Sequence, residues 1–97
     1  MRVELSRFVE GDLEAIADYI AQNNPTRAAS FIREIGGRID ALARNPFLYQ
    51  LRSEIGEGAR LATVGRYAIL FRTVGKTVRV ERIVYGGRDL LTLFQQE

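Results

Sequence analysis

Residues 2–8, Arg-Val-Glu-Leu-Ser-Arg-Phe, alternate apolar and polar side chains, with Val3, Leu5 and Arg7 on one side and Glu4, Ser6 and Phe8 on the other. A period of two predicts a short strand. From Gly11-Asp12 the period changes. Leu13, Ile16, Ala17 and Ile20 fall at i, i+3, i+4 and i+7, the apolar stripe of a helix. Asp12 and Glu14 sit in its first turn, where the helix dipole favours acids, and with Asp18 they read as a solvated helix face. Asn23-Asn24-Pro25 ends this helix and opens the next, with Asn24 as N-cap and Pro25 at the first helical position. Ala28, Phe31, Ile32, Ile35, Ile39 and Leu42 carry the second helix to about Arg44, where Asn45-Pro46 stops it. Gly36-Gly37 in its middle predicts a close helix approach or a bend.

Residues 47–58 read as a loop carrying Phe47, Leu48, Tyr49 and Leu51. Three strands are predicted after it, over 59–64, 66–73 and 77–85, with Val74-Gly75-Lys76 as a hairpin turn and Gly86-Gly87 as the last stop. Leu90, Leu91, Leu93 and Phe94 follow in a short tail, helical or disordered. The order is strand, helix, helix, strand, strand, strand. The expected fold is α+β: a helical hairpin packed on a small, mainly antiparallel sheet, in one domain spanning 1–97. The first strand is expected at the edge or beside the last strand. The hairpin can cover one sheet face only, so the opposite face is expected to lie bare and to carry the arginines of 60–88.

Charge sharpens this picture. The net charge is only +2. Residues 1–48 nevertheless hold six arginines against seven acids, while residues 49–97 hold eight basic residues against five acids. Between Arg60 and Arg88 there are seven basic residues and one acid, Glu81. Arg60, Arg66, Arg72, Arg79, Arg82 and Arg88 lie among Tyr67, Phe71 and Tyr85. Arginine interleaved with aromatics suits a polyanionic partner, because it combines phosphate neutralisation with stacking. An acidic protein segment suits it equally.

The absences are as informative. The chain has no cysteine and no histidine, which excludes thiolate zinc sites, Cys nucleophiles, Ser-His-Asp triads and histidine bases. No metal site and no cofactor motif is readable, since the glycine pairs form no GxGxxG after a strand. No apolar run approaches the ~20 residues of a membrane helix. The N-terminus lacks the apolar core of a signal peptide. No membrane role and a cytoplasmic location are therefore expected.

Five words in fixed order carry a resemblance: Asp12-Leu13-Glu14-Ala15-Ile16-Ala17-Asp18-Tyr19-Ile20; Asn24-Pro25-x-x-Ala28-Ala29-x-Phe31; Asn45-Pro46; Val64-Gly65-Arg66-Tyr67-Ala68-Ile69-Leu70-Phe71-Arg72; and Val84-Tyr85-Gly86-Gly87-Arg88-Asp89-Leu90. The chain resembles the ParE branch of the RelE/ParE superfamily, the toxin half of bacterial type II toxin–antitoxin pairs. The resemblance implies a compact β-α-α-β-β-β toxin. It implies a ParD-like antitoxin bound in a hetero-oligomeric complex. It also implies DNA gyrase as the target, whose inhibition blocks replication and growth, with no catalytic residue and no sequence-specific DNA binding by the toxin alone. RelE-like relatives instead cut mRNA on the ribosome, here through Arg60, Arg66, Arg88 and Tyr85. Against that alternative, Ala68 stands where such nucleases carry arginine, Tyr85 stands where many carry histidine, and the loop before the second strand has no lysine. Arg88 matches an arginine common to both branches.

The candidate target-binding residues are Arg60, Arg66, Arg72, Tyr85 and Arg88. The candidate antitoxin-binding residues are Phe47, Leu48, Tyr49 and Leu51 in the loop and Leu91, Leu93 and Phe94 in the tail, apolar side chains that suit a docked helix or strand. Phe47 and Leu51 equally suit closing the bottom of the core.

Overall fold

A computed structural model describes residues 1–86. Arg88, Leu91, Leu93 and Phe94 of the candidate residues lie outside them. Four strands and two helices follow in the order β1 (Arg2–Leu5), α1 (Val9–Ala21), α2 (Pro25–Arg44), β2 (Arg60–Val64), β3 (Tyr67–Val74) and β4 (Thr77–Tyr85). A 3-10 turn, Pro46–Leu48, follows α2. The sheet order is β1-β4-β3-β2. β2, β3 and β4 form the expected antiparallel meander, and β1 runs parallel to β4, from Arg2 opposite Thr77 to Leu5 opposite Val80. The sheet is therefore mixed, with the first strand beside the last.

The boundaries have local causes. Asn24 caps α2 by accepting a hydrogen bond from the Arg27 amide at 3.0 Å, and Pro25 follows it. Gly75, at φ +59, takes the left-handed conformation that the two-residue turn into β4 requires. β1 stops three residues short of the predicted strand. Its alternation continues through Ser6 to Phe8, but the Ser6 hydroxyl accepts from the Phe8 amide at 3.2 Å and donates to the Glu81 carbonyl. That pair of bonds turns the chain into α1, which starts at Val9 rather than at Gly11-Asp12.

One apolar core lies between the hairpin and the sheet. Ile16 of α1 and Phe31, Ile35 and Leu42 of α2 pack on Ile69, Phe71, Val80 and Ile83, all buried. The opposite face is not bare as expected. Ile55 and Ala59, from the segment before β2, pack there on Leu70 and Leu61. Pairing slips between β3 and β4, where Leu70 faces Arg82 but Phe71 faces Val80. Glu81 is the extra residue of this bulge.

Gly36 and Gly37 do not mark a close approach. Both are exposed, and a Cβ added to either meets nothing within 4 Å. In this structure they only weaken α2. Replacing each by alanine is expected to raise stability by about 1 kcal/mol, measured by urea denaturation; a loss would reveal a contact the fold does not show. Among the described residues no helix is long and apolar enough to cross a membrane.

Candidate functional site

The chemistry of the surface gathers in four places. The first is a cleft of about 670 Å³ at the end of the sheet where β3 begins and β4 ends, facing the α1–α2 connection. Tyr19 comes from the last turns of α1, Arg27 and Phe31 from the first turns of α2, Arg66 from the β2–β3 turn, Tyr67 from β3 and Tyr85 from β4. The aromatic rings form a file. Phe31 and Tyr67 have centroids 5.6 Å apart, and Tyr67 meets Tyr85 edge-on at 5.8 Å. The Arg27 guanidinium lies over the Phe31 ring at 5.1 Å. Gly65, at φ +58, makes the turn that presents Arg66, and a Cβ there would lie 3.3 Å from the Phe31 ring. The Gly86 amide donates to the Arg66 carbonyl at 2.9 Å, tying the turn to the end of β4.

The second place is the corner after α2. Phe47, Leu48 and Leu51 are exposed, Leu48 to 77%. Pro46 is buried, and Tyr49 lays its edge on Phe71 at 5.7 Å. Those two close the bottom of the core, not Phe47 and Leu51. Arg60 stacks its guanidinium on Phe47 at 5.1 Å and donates to the Tyr49 carbonyl. Leu51 pairs with Arg60 in a single bridge that prolongs the sheet edge.

The third place is the bulge. The Glu81 side chain is fully buried, and its Oε1 accepts from Arg72 Nε at 3.0 Å and Arg79 Nε at 2.8 Å. Arg79 also bonds Glu4 on β1. The neighbouring carboxylates raise the Arg79 pKa against the pull of desolvation, so this cation stays charged at any working pH. The fourth place is the edge of β4 beyond the reach of β1. There Asp12 takes a bidentate pair from Arg82, at 2.9 Å each, and the Ile83 amide at 3.0 Å. Asp12 is not on a solvated face: its side chain is 11% exposed and that of Arg82 12%.

The arginines of the strand region therefore do not share one open surface. Arg72, Arg79 and Arg82 hold carboxylates of the fold, and Arg60 holds the loop after α2. The Arg66 side chain has no hydrogen-bond or ion-pair partner among the described residues. Of the candidate target residues, the structure brings Arg66 and Tyr85 together in the cleft. Arg60 lies at the second place and Arg72 at the third. Of the candidate antitoxin residues, Phe47, Leu48 and Leu51 share the exposed corner. Ala68, the departure from the arginine-bearing word, is buried. Tyr19 and Arg27 are not among the candidates named from the sequence, because arginine interleaved with aromatics stands out there only in the strand region. The tight Asn-Asn-Pro turn between the helices was the available signal, since it places the end of α1 and the start of α2 side by side.

Burial, then the phenols of Tyr19 and Tyr85, push the Tyr67 pKa above the ordinary 10.0. The folded state thus favours the neutral phenol. The stability this contributes is present below the ordinary value and is lost as pH rises through the folded value. An alkaline absorbance titration is expected to show one of the four tyrosines ionising late, and Tyr67→Phe is expected to remove that step. The absence of a late-ionising phenol would contradict the burial of Tyr67.

Comparisons with known proteins agree with this architecture. The model of the family described as ParE toxin of type II toxin-antitoxin system, parDE, matches residues 3–90. A curated relative, Toxin ParE3 of Caulobacter vibrioides, is 31% identical over 90 residues, covering 92% of this chain and 90% of its own. A solved structure described as the chromosomal ParDE TA system from P. aeruginosa superposes with a TM-score of 0.77 at 24% identity, covering 88% of this chain and 95% of that one. That likeness is one of fold.

Proposed function

The chain belongs to the ParE toxin family of type II toxin–antitoxin systems, and from that premise we propose that it arrests growth by binding DNA gyrase and is neutralised by a ParD-like antitoxin. The observation that carries this reading is the family match across residues 3–90. The reading places the protein in the cytoplasm, where gyrase works on the chromosome.

The geometry favours a binder over a nuclease. A general base works best with a pKa near the working pH. The chain has no histidine, and the most enclosed phenol of the cleft, Tyr67, is shifted further from neutrality. Of the arginines that the nuclease reading would use, Arg60 is engaged with the Tyr49 carbonyl and the Phe47 ring. What remains exposed is suited to contact: the aromatic cleft with Arg66, and the Phe47–Leu51 corner. The corner is apolar, as a docked antitoxin segment requires.

A supercoiling assay decides the target. With purified gyrase, ATP and relaxed plasmid, the toxin is expected to suppress supercoiling and to leave cleaved DNA after detergent is added. Full supercoiling at toxin excess, with no trapped cleavage, would reject gyrase. Codon-positioned cuts in a translation reaction would instead assign the chain to mRNA cleavage.

A further inference from the structure

The cleft beside Arg66 is built from ring faces and cations, and that pairing has a chemical meaning independent of gyrase. Tyr67 and Tyr85 meet at 85° and Phe31 and Tyr67 at 55°. Tilted and edge-on contacts leave ring faces uncovered, whereas stacked pairs would hide them. Tyr19 and Tyr85 are both exposed, so their rings are open to a visitor. Among the described residues the charged side chains lining the cleft are Arg27 and Arg66, and no carboxylate lines it. Arg27 keeps Glu34 at 3.2 Å outside the lining. Among the described residues Ile20 is the one large aliphatic side chain that lines the cleft, which suits a flat π-system better than the leucine-rich stripe of a partner helix. The volume of about 670 Å³ lies within the range that holds a small organic ligand.

We propose that this cleft takes an unpaired nucleobase of a single-stranded nucleic acid, stacked on Tyr85 and Tyr67, with the adjoining phosphate on Arg66. Aromatic platforms flanked by arginine bind single strands without regard to sequence, because every base has a π-face. A duplex keeps its bases paired and stacked and cannot offer one to the cleft. The turn conformation enforced at Gly65 holds the Arg66 backbone against Gly86, next to Tyr85, so the cation and the ring stand ready before the strand arrives.

The chain has four tyrosines and no tryptophan, and three of the four line the cleft. Intrinsic fluorescence therefore reports on this site. The experiment titrates the full-length toxin with a twelve-residue oligothymidylate, reading both tyrosine quenching and the anisotropy of a labelled strand. Binding is expected to be at least about tenfold tighter than to a twelve-pair duplex, to a strand of abasic sites, or to thymidine monophosphate. Tyr85→Ala is expected to weaken it about tenfold, and Tyr85→Phe to restore it. Arg66→Gln is expected to lower the slope of log affinity against log salt by about 0.7. Both side chains are exposed, so these variants should melt like the parent, which a thermal scan checks. The proposal is overturned if the abasic strand, the duplex or the mononucleotide binds as tightly, or if Tyr85→Ala changes nothing. It is also overturned if an acidic phenylalanine-bearing peptide quenches the tyrosines and the oligonucleotide does not, a result that would give the cleft to a protein segment. No gyrase enters this assay, so its failure and a failure of the supercoiling test are separate results.

Discussion

Asp12→Ala is expected to destabilise the protein by about 3 kcal/mol, the low end of what breaking a buried ion pair costs. The carboxylate accepts three hydrogen bonds, two from the Arg82 guanidinium and one from the Ile83 amide, and both charged side chains are nearly buried. The Ile83 amide belongs to the stretch of β4 that β1 does not cover, because β1 pairs only from Thr77 to Val80. Without Asp12, that amide loses its acceptor and Arg82 loses its bidentate carboxylate inside a desolvated edge. At ~4–8 °C per kcal/mol for a domain of this size, the melting temperature should fall by roughly 15 °C. Asp12→Asn keeps one acceptor oxygen and should lose about half as much. A double-mutant cycle with Arg82→Ala isolates the pair, and a coupling of about 1–3 kcal/mol is expected. A loss below about 0.5 kcal/mol for Asp12→Ala would return Asp12 to the solvated face that its sequence position suggests.

Binding of the antitoxin is expected to have a still larger effect. If a ParD-like segment covers the corner of Phe47, Leu48 and Leu51, it binds the folded toxin and not the unfolded chain. At a free antitoxin concentration a thousandfold above the dissociation constant, the gain is about 4 kcal/mol, which corresponds to a melting shift of roughly 20 °C. Changing Phe47, Leu48 and Leu51 together to serine should leave the melting of the free toxin close to that of the parent, since these side chains already face solvent. The same change should remove much of the shift in the complex, because buried aromatic and aliphatic anchors carry most of an interface's energy. Equal melting temperatures with and without antitoxin would contradict the docking role. A fall in the free variant alone would make the corner part of the fold.

The fold was legible where local chemistry determines it. Asn24 and Pro25 mark the start of α2, Asn45-Pro46 its end, and the β4 boundaries at Thr77 and Tyr85 follow from alternation between Gly75 and Gly86. The family words were legible for the same reason, being contiguous. The ion pairs were not. Asp12 and Arg82 are 70 residues apart, and Glu81 reaches Arg72 only through a bulge that shifts the register. Periodicity assigns a residue to a face, but it cannot tell which charge waits on the neighbouring element. That is why the arginines of 60–88 read as one basic field although the fold uses three of them as internal counter-ions. The cleft was half legible: Arg66, Tyr67 and Tyr85 stood in the strand words, while Tyr19 and Arg27 join them only once the helices fold back.

The parallel seating of β1 on β4 has a consequence for the order of folding. Residues 2–5 lie beside residues 77–80, so the first strand of the sheet finds its seat across almost the whole described chain. Contacts that span so much of a chain close late and slowly. The first strand therefore has no place to lie until the hairpin of β3 and β4 has formed, and its docking is expected to be among the last steps of folding.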